Sequence, residues 1–140
     1  MTIRILLVID PNIAWEGLRR LIQQHPCLLL VAETSSILSA QELTRRLKPD
    51  IVIVDINVPH PEMIQAARCM IEDTHGVKVI AISMQSDRIY AEKSFLSGIS
   101  GYLLKECTYE ELIPAIHHVM AGNTYLSPEM GIDDRSIVRA

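Results

Sequence analysis

Aromatic residues are scarce in this chain of 140, which has one Trp, one Phe and four Tyr. The interior must therefore be built mainly from Ile, Leu and Val. Cysteine is also sparse. Cys27, Cys69 and Cys107 are far apart, odd in number and contain no CxxC pair, a pattern that reads as buried, reduced thiols of a cytosolic protein. A basic surplus is absent: the formal charge is −4, which argues against a domain held on DNA by phosphate contacts. No apolar run approaches the ~20 residues that a membrane span requires. The first apolar run, Ile3 to Ile9, begins within two residues of the N-terminus, which leaves no room for a signal peptide ahead of it. A cytoplasmic protein without membrane contact is expected.

What is present is a repeating alternation. Short apolar runs occur at Ile3–Ile9, Leu28–Ala32, Ile51–Val54, Val77–Ile82 and Gly101–Leu104. They are continuously apolar, as in strands covered on both faces. Helical spacing fills the intervals. Ala14, Leu18, Leu21 and Ile22 form one stripe, stopped by Pro26, and a second runs from Ile37 through Leu43 and Leu47 to Pro49. Met63, Ala66, Ala67, Met70 and Ile71 form the third, with Gly76 after its end. A fourth helix is placed at Arg88–Leu96. The fifth opens with Thr108 and Glu111 in capping-box relation, contains Pro114, where a kink is expected, and runs to Gly122.

Five strands alternating with five helices predict right-handed crossovers and a parallel sheet with helices on both faces. The expected fold is α/β, a doubly wound, flavodoxin-like (βα)5 unit with five strands in the order 2-1-3-4-5, over residues 1–122. In such open sheets function collects beyond the carboxyl ends of the strands. Asp10 follows the first run, Asp55 ends the third, Ser83 the fourth and Lys105 the fifth. Two carboxylates on neighbouring loops can hold a hard divalent cation such as Mg²⁺, which keeps several waters and needs few protein ligands. A Lys ammonium and a Ser hydroxyl can meet phosphoryl oxygens. The set describes a carboxylate that accepts a phosphoryl group, with cations neutralising the transferring oxygens. A flavin or nucleotide enzyme on the same sheet order would need a phosphate-cradling loop after the first strand. Asp10-Pro11-Asn12 stands there instead, without a glycine cluster.

Over essentially residues 1–122 the sequence resembles the receiver domain of two-component response regulators. The resemblance rests on Ile-Leu-Leu-Val-Ile-Asp at 5–10, Pro-Asp-Ile-Val-Ile-Val-Asp-Ile-Asn-Val-Pro at 49–59, Val-Ile-Ala-Ile-Ser at 79–83 and Gly-Tyr-Leu-Leu-Lys-Glu at 101–106. The last string, with Ala-Gly-Asn-Thr-Tyr-Leu-Ser-Pro-Glu at 121–129, resembles the NarL/LuxR-type subfamily, which carries a C-terminal helix-turn-helix. The resemblance implies Asp55 as phosphoacceptor, Mg²⁺ as cofactor, and Asp10, Asp55 and the backbone carbonyl of Asn57 as metal ligands. It implies that Lys105 pairs with the phosphoryl group, that Ser83 hydrogen-bonds it, and that the Tyr102 ring reports the state of Ser83. It further implies a sensor histidine kinase as partner and a homodimer through the face of the fourth helix, fifth strand and fifth helix. Such a module is a signalling switch, not an enzyme.

The pattern is broken in places. The family has two adjacent acids after the first strand, whereas here the pair is Ile9-Asp10, and weaker Mg²⁺ binding is expected. His60-Pro61-Glu62-Met63 follows Pro59 where relatives have a glycine-containing turn, and Met84 stands where small residues are common. These departures motivate the alternative of a degenerate pseudo-receiver, a phosphorylation-independent interaction or dimerisation module. Trp15, at the edge of the acidic rim, is a candidate docking residue. Adjacent His117 and His118 point about 100° apart on a helix and make a poor chelate. Residues 123–140 read as linker or tail toward an output domain that is absent from the chain, through which any DNA contact would be made. An excised receiver and a stand-alone one both fit.

Overall fold

Strand β1 (Ile3–Val8) lies inside a parallel sheet, with β2 (Leu28–Thr34) on one side and β3 (Ile51–Asp55) on the other. Beyond β3 come β4 (Lys78–Ser83), β5 (Gly101–Leu104) and a two-residue strand β6 (Tyr125–Leu126). The connecting helices are α1 (Glu16–Gln24), α2 (Ile37–Leu47), α3 (Met63–Asp73), α4 (Arg88–Leu96) and α5 (Thr108–Met120). The computed structural model describes residues 2–9, 16–55, 63–83 and 88–128.

The order 2-1-3-4-5 is the expected one, and β6 extends it by pairing parallel with β5. The sequence reading places Tyr125 and Leu126 in a linker and stops at five strands. Two residues are too few to show a period, so this strand exists only through its neighbour.

Alternation along the strands divides the core into two layers. Leu6, Val8, Val52, Val54, Val79 and Ala81 face α2, α3 and α4. Ile5, Leu7, Ile51, Ile53, Ile80 and Ile82 face α1 and α5. Each fully buried Ile or Leu contributes about 1.5–3 kcal/mol of transfer free energy, and the sheet is lined with them on both sides.

One strand departs from the sequence reading. β2 takes the edge place that the expected order gives it, but it is not covered on both faces, and Leu29 is half exposed on it. Its pairing with β1 slips between Ile5 and Leu6, leaving Val31 unmatched. Such a bulge twists an edge away from further pairing.

Local chemistry sets the helix ends. Ser36 is extended and its Oγ accepts the Ser39 N–H at 3.3 Å, capping α2. Lys48, with φ of 49°, closes that helix by donating its N–H to the Thr44 carbonyl. The expected capping box of α5 does not form. The chain enters through a 3₁₀ turn at Lys105–Cys107, so Thr108 is already helical, and its hydroxyl donates back to the Leu104 carbonyl at 3.3 Å. Glu111 instead accepts the Tyr125 hydroxyl at 3.0 Å. Pro114 lies within α5 on its exposed side. Gly122, with φ of 92°, takes the left-handed turn after α5.

The cysteine expectation also changes: Cys27 is exposed and Cys69 only partly buried, both as free thiols. Cys27 lies in the turn between α1 and β2, where no layer covers it.

Candidate phosphoryl site at the strand ends

The carboxyl ends of the strands meet at one rim, and the backbone register sets their relative height. Val8 pairs with Val54, and Asp55 with Ile82. Ile82 pairs with Leu103, and Ser83 with Leu104. Asp55 and Ser83 are therefore one strand and one residue apart, and Lys105 leaves β5 immediately beyond the partner of Ser83. Asp55 is fully buried and Ser83 nearly so, at 0% and 1% exposure, while Lys105 is partly exposed. A buried carboxylate on an apolar strand is costly unless polar groups surround it, so the placement marks a built feature.

The sequence-derived set is brought together in part. Asp55, Ser83 and Lys105 share the rim. Tyr102 is fully buried one row down, in the layer that faces α2, α3 and α4. Asp10, Trp15 and Asn57 lie outside the described residues, as do His60 and Met84. Ile9 is described. It is 5% exposed, packs in the α1/α5 layer, and donates its N–H to the Thr34 carbonyl at 2.9 Å. The position at which the resemblance implies an acid thus belongs here to the core.

His117 and His118 do diverge. The first ring is 6.1 Å from that of His25 and the second 5.6 Å from that of Tyr125. Among the described residues no group of three or more His, Cys, Asp or Glu side chains is placed to hold a metal. A Mg²⁺ site does not require one, since one or two carboxylates with water suffice. Asp55 at the end of β3 has the hard-oxygen chemistry for one of them.

The sequence reading missed Ser127. Its buried hydroxyl accepts the Leu104 N–H at 2.9 Å, directly before Lys105. No periodic signal marks it, although a Ser-Pro pair after two apolar residues is a stop for a short strand.

The response regulator receiver domain matches residues 5–117 as a family. The chain belongs to that family. The receiver is 33% identical over 128 residues to the transcriptional regulatory protein DegU of Brevibacillus brevis, covering 91% of this chain and 54% of that protein. It is 28% identical over 123 residues to the nitrate/nitrite response regulator protein NarL of Escherichia coli, covering 88% of this chain and 57% of that one. The chain thus spans little more than half the length of these curated relatives. Among solved structures, a LuxR-family two-component response regulator from Aurantimonas sp. SI85-9A1 superposes with a TM-score of 0.85 at 36% identity, covering 94% of each chain. Both the fold and the NarL/LuxR-type kinship are thereby shown. Receivers of this family are two-component signalling modules that work with histidine kinases and generally with Mg²⁺. In this one, no helix among the described residues is long and apolar enough to cross a membrane.

Proposed function

We propose that this receiver accepts a phosphoryl group on Asp55 from a sensor histidine kinase and serves as the switch of a transcriptional regulator. The observation that carries the reading is a fully buried carboxylate at the end of β3, one strand from Ser83 and two from the strand that delivers Lys105. A carboxylate oxygen of Asp55 attacks phosphorus, the new P–O bond forms, and the P–N bond to the kinase's histidine breaks with the electron pair leaving on the imidazole. Lys105 supplies a cation to the phosphoryl oxygens and Ser83 a hydrogen bond. Asp10, Asp55 and the backbone carbonyl of Asn57 would hold Mg²⁺, which would supply further positive charge for phosphoryl transfer. Tyr102 follows the state of Ser83, and the face of α4, β5 and α5 changes its pairing with a second copy. The module turns over no substrate beyond its own acylphosphate. It works in the cytoplasm and reaches DNA only through an output domain.

Incubation with acetyl phosphate and Mg²⁺ is expected to add one phosphoryl group by mass, and Asp55→Ala to abolish the gain. Native protein that stays unmodified at saturating donor and Mg²⁺ overturns the reading. The relatives and the described residues give no support to a phosphorylation-independent module, which would bind its partner equally well as Asp55→Ala.

A further inference from the structure

Residues 125–127 do more than lengthen the sheet. Tyr125 pairs with Gly101 and Leu126 with Tyr102. The Tyr125 N–H donates to the Ser100 carbonyl at 2.9 Å and the Ser127 N–H to the Tyr102 carbonyl at 3.0 Å. Leu126 is buried in the same cluster as Tyr102. Pro128 follows, and having no N–H it cannot carry the ladder further.

At that point a side chain takes over. The Ser127 hydroxyl, fully buried, accepts the Leu104 N–H at 2.9 Å. From the other end, the Thr108 hydroxyl donates to the Leu104 carbonyl at 3.3 Å. Both backbone groups of Leu104 are therefore fixed by side chains, and the next residue is Lys105. A third bond, from the Tyr125 hydroxyl to Glu111 at 3.0 Å, ties β6 to α5.

We infer that β6 with Ser127 is a latch, Ser127 acting as the positioning residue that holds the Leu104–Lys105 peptide in place for the phosphoryl site. The functional arm rests on Asp55 being the phosphoacceptor. With the latch docked, Lys105 starts from a fixed backbone, and less ordering remains for the transfer step. Undocked, the Leu104 N–H loses its buried acceptor and Tyr102 its cover. Because coupling is reciprocal, a phosphoryl group that engages Lys105 favours the docked strand. Whatever is attached after Pro128 thus acts on the site through one strand and one hydroxyl.

The test uses the 140-residue chain as native protein, Ser127→Ala and Tyr125→Phe, which loosen β6 through different bonds. Amide hydrogen exchange is followed over residues 101–106 and 123–128, together with the initial rate of phosphoryl gain from acetyl phosphate and the half-saturating Mg²⁺ concentration. Ser127→Ala is expected to speed exchange in both segments and slow phosphoryl gain, each by about tenfold, the loss of one buried hydrogen bond. Tyr125→Phe should do the same to a smaller degree. Half-saturating Mg²⁺ should stay at the native value, because a general loosening of the rim would shift it as well. Faster exchange with a native rate overturns the positioning role, and so does native exchange in both variants. If native protein takes no phosphoryl group, the Asp55 reading fails and exchange at 101–106 decides the latch: faster in Ser127→Ala, it stands; unchanged, it falls.

Discussion

Ser83 and Leu104 are register partners across β4 and β5, so the Ser83 side chain and the Lys105 that follows Leu104 leave the sheet at the same rim. With Asp55 as the proposed phosphoacceptor, the two should contribute differently. Lys105 brings a full charge, and removal of such a group from a transition state costs about 10²–10³-fold in rate. Ser83 brings one neutral hydrogen bond, with a cost of about tenfold. Lys105→Ala and Ser83→Ala should therefore slow phosphoryl gain at Asp55 in that order, measured at fixed acetyl phosphate and Mg²⁺. Equal or reversed effects would remove Lys105 from its assigned role.

Ile9 makes a second prediction because it is both buried and next to Asp10. Ile9→Asp restores the missing acid at the rim and should lower half-saturating Mg²⁺ several-fold. The same change puts a carboxylate into the α1/α5 layer and should cost about 2–5 kcal/mol of unfolding free energy without Mg²⁺. Ile9→Val, as a control, should cost about 0.5–1.5 kcal/mol and leave the Mg²⁺ requirement alone. An unchanged Mg²⁺ requirement in Ile9→Asp would show that the absent acid is not what sets it.

The sheet order and the rim were legible in the sequence because both follow from strand ends. Each apolar run stops at a polar residue, and parallel topology puts all those stops on one edge, which is how Asp55, Ser83 and Lys105 could be named together. Three features were not legible, for separate reasons. β2 reads as apolar as β1, so Leu29 gives no local sign that it is left uncovered on one face. Thr108 and Glu111 have capping-box spacing, but the 3₁₀ turn ahead of them makes Thr108 helical and frees Glu111 for Tyr125. β6 is a tertiary product of β5. The latch at Ser127 was hidden with it.

Stability at the opposite rim should be separable from the site. The Asp50 carboxylate accepts the Arg4 N–H at 2.8 Å, while the Arg4 guanidinium donates to the Leu47 carbonyl at 2.6 Å and the Lys48 carbonyl at 3.0 Å. This clasp ties the start of β1 to the turn between α2 and β3. Asp50→Ala removes the acceptor of a partly buried N–H, and about 1–3 kcal/mol should be lost in denaturant unfolding. The rate of phosphoryl gain should remain native, since the clasp lies at the far ends of the strands. By contrast, Glu33→Ala, which breaks the partly exposed bridge from Arg19 at 2.6 Å, should cost less than about 1 kcal/mol.

Two glycines resist alanine for different reasons, and the difference can be measured. Gly76 has open space around its missing Cβ but a φ of 84°, so Gly76→Ala should cost about 1 kcal/mol through backbone strain alone. Gly101 has no positive φ; instead, a Cβ there would lie 3.1 Å from Cγ1 of Ile80 and 3.5 Å from Cγ2 of Val119. Its absence is what lets α5 sit close on β5, and Gly101→Ala should cost about 1–3 kcal/mol by overpacking. The mechanisms part in a double-mutant cycle with Ile80→Ala, which deletes the colliding atoms. Gly101→Ala should then couple favourably, by about 1 kcal/mol, whereas Gly76→Ala should be additive with it. Additivity at Gly101 would mean that β5 shifts to admit the methyl group, and the spacing of α5 on the sheet would not be set by that glycine.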